Sequence, residues 1–164
     1  MKDLVKLGGV FKVRCIAPDR TIKWEDVAKN LVTNEGLDHI LDIVLAAGTQ
    51  ITSWYLGLTD GTPTPAVADT LASHTGWTEV TAYTGDRKAF TPGSVSSQSV
   101  DNSSSKASFS INANGTTVGG AFLASAASGT TGIMLSVAAF TGGDKSADNG
   151  DTVEVQYTFS ASSS

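Results

Sequence analysis

Cysteine occurs once in the chain, at Cys15, which excludes an intrachain disulfide and leaves no thiolate cluster for a metal. Histidine occurs twice, as His39 and His74, so nucleophilic triads have few possible members. Charged residues make up only 16% of the chain, against ~25% in an average soluble domain. There is no run of about 18 apolar residues, so no membrane-spanning helix is expected. The opening "MKDLVKLGG" lacks the apolar core of a secretory signal, which predicts a protein made in a cytoplasm and soluble there. Glycine-rich phosphate loops, a G-x-S-x-G elbow and zinc-type histidine pairs are all missing. No evident pair of carboxylates suggests a glycan hydrolase. These absences together disfavour an enzyme and predict neither a cofactor nor a metal.

What is present favours β structure. The 164 residues suit one domain, long enough to bury roughly two-thirds of its unfolded surface. Seventeen glycines and many Ser and Thr take the place of the Lys and Glu with which helical proteins solubilise themselves. The net charge of −5 argues against nucleic acid, whose phosphates require a positive field. Charge is unevenly spread: residues 1–30 hold seven Lys/Arg against four Asp/Glu, and residues 31–164 hold four against twelve. A basic opening segment on an acidic body implies that the segment meets an acidic surface, its own or another's.

"GVFKVRCIA" alternates Phe11, Val13 and Cys15 with Lys12 and Arg14, the period of a half-buried strand with a basic outer face. Cys15 is then a small buried hydrophobe. After the turn "PDR", "TIKWEDVAKNLV" reads as extended, with Trp24 packing on the core or standing out as an anchor. "ITSWYLGLT", "WTEVTAYTG", "DRKAFTP" and "KASFSINA" read as further strands, the middle two joined around a Gly-containing turn. "TPAVADTLASHTG" reads as a long loop in which His74 packs or lies at the surface. "TTVGGAFLASAAS", "GIMLSVAAF" and "DTVEVQYTFSA" complete the set, and the final serines are expected to be disordered. About eight strands, one helix and no βαβ alternation predict a single mainly β domain over residues 1–164: an antiparallel β-sandwich or jelly roll with a short N-terminal arm.

The one helical segment is "EGLDHILDIVLAAG". Thr33 or Asn34 is placed to cap it and Gly48 to end it. Leu37, Ile40, Leu41, Val44 and Leu45 fall on one arc, extended by Ile43, and Glu35, Asp38, His39 and Asp42 on the other. The apolar stripe should therefore pack on the sheets and leave His39 in water, within reach of Glu35 one turn away.

Two further features carry open readings. From Ala107 to Gly143 there is no Asp, Glu, Lys, Arg or His; central strands with neutral outer faces account for this, and so does contact with other subunits, since interface cores are depleted of charge. In "GGDKSADNGD", Asp144, Asp148, Asn149 and Asp151 offer oxygen ligands for calcium. Their spacing is not that of an EF-hand, however, and Asn-Gly-Asp commonly joins a hairpin.

"KWEDVAKNLVTNEGLDHILDIVL", "WYLGLTDGTPTPAVADTLASHTGWTEVTAY", "INANGTTVGGAFL" and "GDTVEVQYTFSA" together resemble small virion structural proteins of tailed bacteriophages, over roughly residues 20 to 160. That resemblance implies a β-sandwich or jelly-roll protein that oligomerises and acts by binding, with no catalytic residues to carry over. Members of this group are often head decoration (cement) proteins. The expected partners are then the major capsid protein and further copies of the chain, with no nucleic acid and no membrane, at the head surface of a virion assembled in the host cytoplasm. Lys12, Arg14, Arg20, Lys23 and Trp24 are the candidate partner interface; a solvated strand face is the competing reading of those cations. The alternative function is a tail or fibre module that recognises a host receptor through loop aromatics such as Trp77 and Trp24.

Overall fold

The computed structural model describes residues 4–163. Twelve strands and one helix follow in the order β1 (Val5–Ile16), β2 (Ile22–Lys29), β3 (Leu31–Val32), α1 (Asn34–Leu45), β4 (Trp54–Thr59), β5 (Lys88–Phe90), β6 (Ser99–Asp101), β7 (Ala107–Ser110), β8 (Thr116–Val118), β9 (Gly120–Ala124), β10 (Met134–Ala139), β11 (Lys145–Ala147) and β12 (Thr152–Ser163). All pairings between these strands are antiparallel. The first sheet runs β2-β1-β12, with β6 and β7 side by side on the far edge of β12; the second runs β3-β10-β9-β4-β5; β8 and β11 form a short ribbon. The protein is mainly β, as its composition predicts, with more and shorter strands than the eight expected.

The alternating sequences do what period-2 patterning requires. Phe11, Val13 and Cys15 of β1 and Val153, Val155 and Tyr157 of β12 turn one way and are fully buried. They join Leu56, Leu58, Ala121, Leu123 and Leu135 of the second sheet in one core, each large side chain contributing about 1.5–3 kcal/mol. Phe11 stacks on Tyr157 with ring centroids 4.3 Å apart. Where β6 ends and β7 has not begun, buried Asn102 takes over the ladder: its Oδ1 accepts the Tyr157 N–H at 2.7 Å and its Nδ2 donates to the Val155 carbonyl at 3.3 Å.

The second sheet is covered on its other side as well. Phe122, Ala124, Met134 and Val137 face away from the first sheet and pack under Leu71 and Trp77, carried by the long connection between β4 and β5. The charge-free stretch thus contains β9 and the first five residues of β10, buried on both faces within one chain. The central-strand reading of that stretch holds for β9 and β10. Arg87 fastens the cover. Its guanidinium bonds both Glu79 oxygens at 2.7 Å, the Ala126 and Gly129 carbonyls at 2.9 and 2.8 Å, and lies 5.2 Å from the Phe122 ring centre.

Three sequence-based expectations about strands and termini are corrected. "WTEVTAYTG" is not a strand paired with "DRKAFTP": Trp77 belongs to the cover and Val80 to the main core, with only isolated bridges from Glu79 and Tyr83. The C-terminal serines are not a disordered tail, since β12 reaches Ser163. Nor is there a free N-terminal arm from Val5 onward, because β1 and β12 pair without interruption from Val5↔Ser163 to Ile16↔Thr152. Main-chain ladders of this kind place no demand on side chains, so serine serves. Met1–Asp3 and Ser164 lie outside the described residues.

The helix is turned relative to its hydrophobic arc. Thr33 caps it, accepting the Gly36 N–H at 3.1 Å, while its own hydroxyl donates to the Met134 carbonyl. Gly36 lies flush on β10: a Cβ there would sit 2.7 Å from the Leu135 carbonyl oxygen. The face that packs therefore follows Gly36 up the helix to His39, Ile40 and Ile43, and Leu41, Val44 and Leu45 point outward. The closest-approach residue, not the most apolar arc, sets the rotation. His39 is consequently only 9% exposed, edge-on to Trp54, and Glu35 accepts the Met134 N–H rather than meeting His39. The left-handed position after the helix belongs to Ala47, φ 57°, and not to Gly48.

Candidate partner-binding face

The outer face of the first sheet collects the charge that the core excludes. Register places Arg14 between Glu25 of β2 and Glu154 of β12, and Lys12 between Val27 and Gln156. Arg14 Nε and Nη2 both reach Glu154 Oε2, at 2.8 and 2.7 Å. With Lys106, these side chains line a shallow depression of about 300 Å³. A second depression, of about 440 Å³, shares Arg14 and Glu154 and extends to Arg20. Arg20 occupies the Pro18–Thr21 turn at φ 70°, where the Asp19 carboxylate accepts the Thr21 N–H at 2.9 Å and the Thr21 hydroxyl. Lys12, Arg14 and Arg20 therefore form one strip, interleaved with carboxylates rather than uniformly basic.

Lys23 and Trp24 leave that strip. A register shift between Cys15 and Ile16 swings Lys23 toward the β11–β12 connection, where its ammonium lies 2.8 Å from Asp148 and 2.7 Å from Asp151. Those carboxylate bonds raise the Lys23 pKa. Burial pushes the Asp151 carboxyl up, yet the Lys23 ammonium and the Asp148 N–H hold it below the ordinary range. Two of the three aspartates singled out as calcium ligands thus hold a lysine, and the third, Asp144, accepts the Thr62 hydroxyl. Among the described residues no three His, Cys, Asp or Glu converge as metal ligands. Trp24 Nε1 donates to the Ser146 carbonyl at 2.8 Å and its ring leans on Phe140. It packs rather than projects.

Cys15 is buried, 3.6 Å from Asp151 Oδ2; burial and that negative neighbour push its thiol up to about 12. At neutral pH it is therefore held as the thiol and not the reactive thiolate. Asp26, from β2, caps the turn after β10: it accepts the Thr141 N–H and hydroxyl and the Gly142 N–H, each at 2.9 Å. Burial raises its pKa, and these donors with Lys145 outweigh that and hold it low. His74 stacks on Trp77 at 3.7 Å, with His74 Nδ1 and Trp77 Nε1 lacking hydrogen-bond partners.

Sequence reasoning missed Arg87, Asp26 and Asn102, single polar residues whose roles depend on distant loops. It also missed an apolar cleft of about 230 Å³ beside α1, lined by His39, Ile40, Ile43, Trp54, Phe90 and Phe159 among others. Among the described residues no helix is long and apolar enough to cross a membrane. No protein-family model matches the chain, and no curated protein resembles it at a significant level.

Proposed function

We propose that this protein is a non-catalytic structural component of a tailed-bacteriophage virion, a jelly-roll or β-sandwich decoration protein that binds the outside of the head and bridges capsid subunits. The observation that carries the reading is the division of labour among its charges. Lys23, Asp26, Arg87 and Asp151 are committed to internal contacts, whereas Lys12, Arg14, Lys106, Glu25 and Glu154 line the concave outer face of a sheet. Such a face favours register and specificity with a complementary protein surface. The sequence resemblance supplies the virion context.

The receptor-binding alternative called for aromatics displayed on loops. Trp77 is 7% exposed and Trp24 is tied to Ser146, so neither indole supports it.

The test mixes purified protein with capsids stripped of accessory proteins and images them. Decorated heads with raised heat resistance are expected, and Lys12→Glu with Arg14→Glu should lower occupancy. Binding to tails or host cells with bare heads would overturn the reading.

A further inference from the structure

Two unpartnered surfaces of this molecule complement each other. The first is a groove. Its wall is α1, which borders the apolar cleft against the first sheet with His39, Ile40 and Ile43 and on its outer side carries the exposed stripe Leu41, Val44 and Leu45, the last 79% exposed. Its border is acidic: Asp38 and Asp42 adjoin the stripe, and α1 contains no lysine or arginine. Apolar patches of this kind mark interaction surfaces, and the carboxylate border selects for a cation.

The second surface is a tip. Only Val10–Ile16 of β1 pair with β2, so Val5–Gly8 are held by β12 alone. At the end of this overhanging ribbon stand Leu4 and Val5, the latter 73% exposed, followed by exposed Lys6. The tip offers what the groove lacks: apolar side chains next to a positive charge. It cannot fold back into its own groove, because the Val5↔Ser163 to Gly9↔Phe159 register holds the ribbon extended, about 13 Å beyond the cleft wall at Phe159.

We propose that the groove beside α1 binds the β1 tip of a second copy of this chain. Leu4 and Val5 cover Leu41, Val44 and Leu45, and Lys6 meets Asp38 and Asp42. The contact joins two different patches, so it gives a reciprocal pair or a ring where the rotation closes and an open filament where it does not. It does not depend on what the charged outer face of the first sheet binds.

The test uses the full chain in sedimentation equilibrium. Wild type should self-associate, and Val5→Glu or Leu45→Glu alone should each weaken association by about tenfold or more. Both positions are exposed, so circular dichroism and thermal unfolding should match wild type. Mixing the two variants should restore a heterodimer, since one retains an intact groove and the other an intact tip. Val5→Cys mixed with Leu45→Cys should give a mixed disulfide on a non-reducing gel, Cys15 being buried. A wild-type chain that stays monomeric across the micromolar range would overturn the proposal, even if a basic apolar peptide bound the groove. So would association unaffected by either variant, or a mixture without heterodimer.

Discussion

The two five-stranded sheets meet solvent in opposite ways. The first buries one face and exposes the other, so its strands alternate and its outer surface carries ion pairs. The second is covered on both sides, by the first sheet and by the Leu71–Trp77 connection, so β9 and β10 are apolar or small throughout. One sheet thus relies on its pleat for solubility and the other on a loop. A loop with such a duty is a structural layer, and Arg87 is its fastener.

Substitutions should separate the two regimes. The largest effect is expected from Trp77→Ala, which opens the cover over Phe122: a loss of about 3–5 kcal/mol in urea unfolding, with exposed apolar surface detectable by dye binding. Gly36→Ala should cost about 1–3 kcal/mol, because the added methyl meets the β10 backbone and lifts α1 from the second sheet. Asp26→Ala, at the edge of the first sheet, should cost about 1–3 kcal/mol by stranding the Thr141 and Gly142 donors.

That last residue also sets an acid response. Asp26 and Asp151 both lie below their ordinary value of 3.8 when folded. The unfolded chain binds their protons more readily, so their stabilisation is present above about pH 4 and falls as pH drops through the folded values. Asp26→Asn should flatten the acid limb of the stability profile. Arg14→Ala, on the solvated face of the first sheet, should cost less than about 1 kcal/mol, and Gln156→Ala about 0.5 kcal/mol or less. A large effect from either would mean that the outer face is part of the fold and not a free surface.

The same contrast explains what could be read from the chain. β1, β7 and β12 lie in the one-faced sheet, and their alternation survives in the sequence as Phe11-Val13-Cys15, Ala107-Phe109 and Val153-Val155-Tyr157. β9 and β10 have no polar face, so nothing distinguished a strand buried within the chain from one buried against another. "WTEVTAYTG" reads like a strand yet serves as cover, because alternation reports a half-buried surface and not its hydrogen-bonded partner. The helix lies where its pattern places it, and Thr33, one of the two cap candidates, caps it, but it ends before Gly48 and is rotated away from its apolar arc. Hydrophobicity ranks side chains, whereas a glycine with no side chain decided the contact. Of the candidate interface, Lys12 and Arg14 share the outer face that their alternation predicts, and Arg20 adjoins them from the turn after β1. Lys23 and Trp24 were drawn away by partners more than 120 positions distant, a separation no local pattern encodes.

The pairing of Val5 with Ser163 has a practical consequence. The two ends of the described chain are already neighbours in a ladder, the geometry that a two-residue turn bridges without strain. A covalent link there would make a hairpin of β12 and β1, and the chain could be reopened at the exposed Ser128–Thr131 bend between β9 and β10. The native order of synthesis, in which β1 is made before its long partner β12, would then be inverted. Such a permutant could form its most extensive strand pair early, turning the longest-range contact of the fold into a local one.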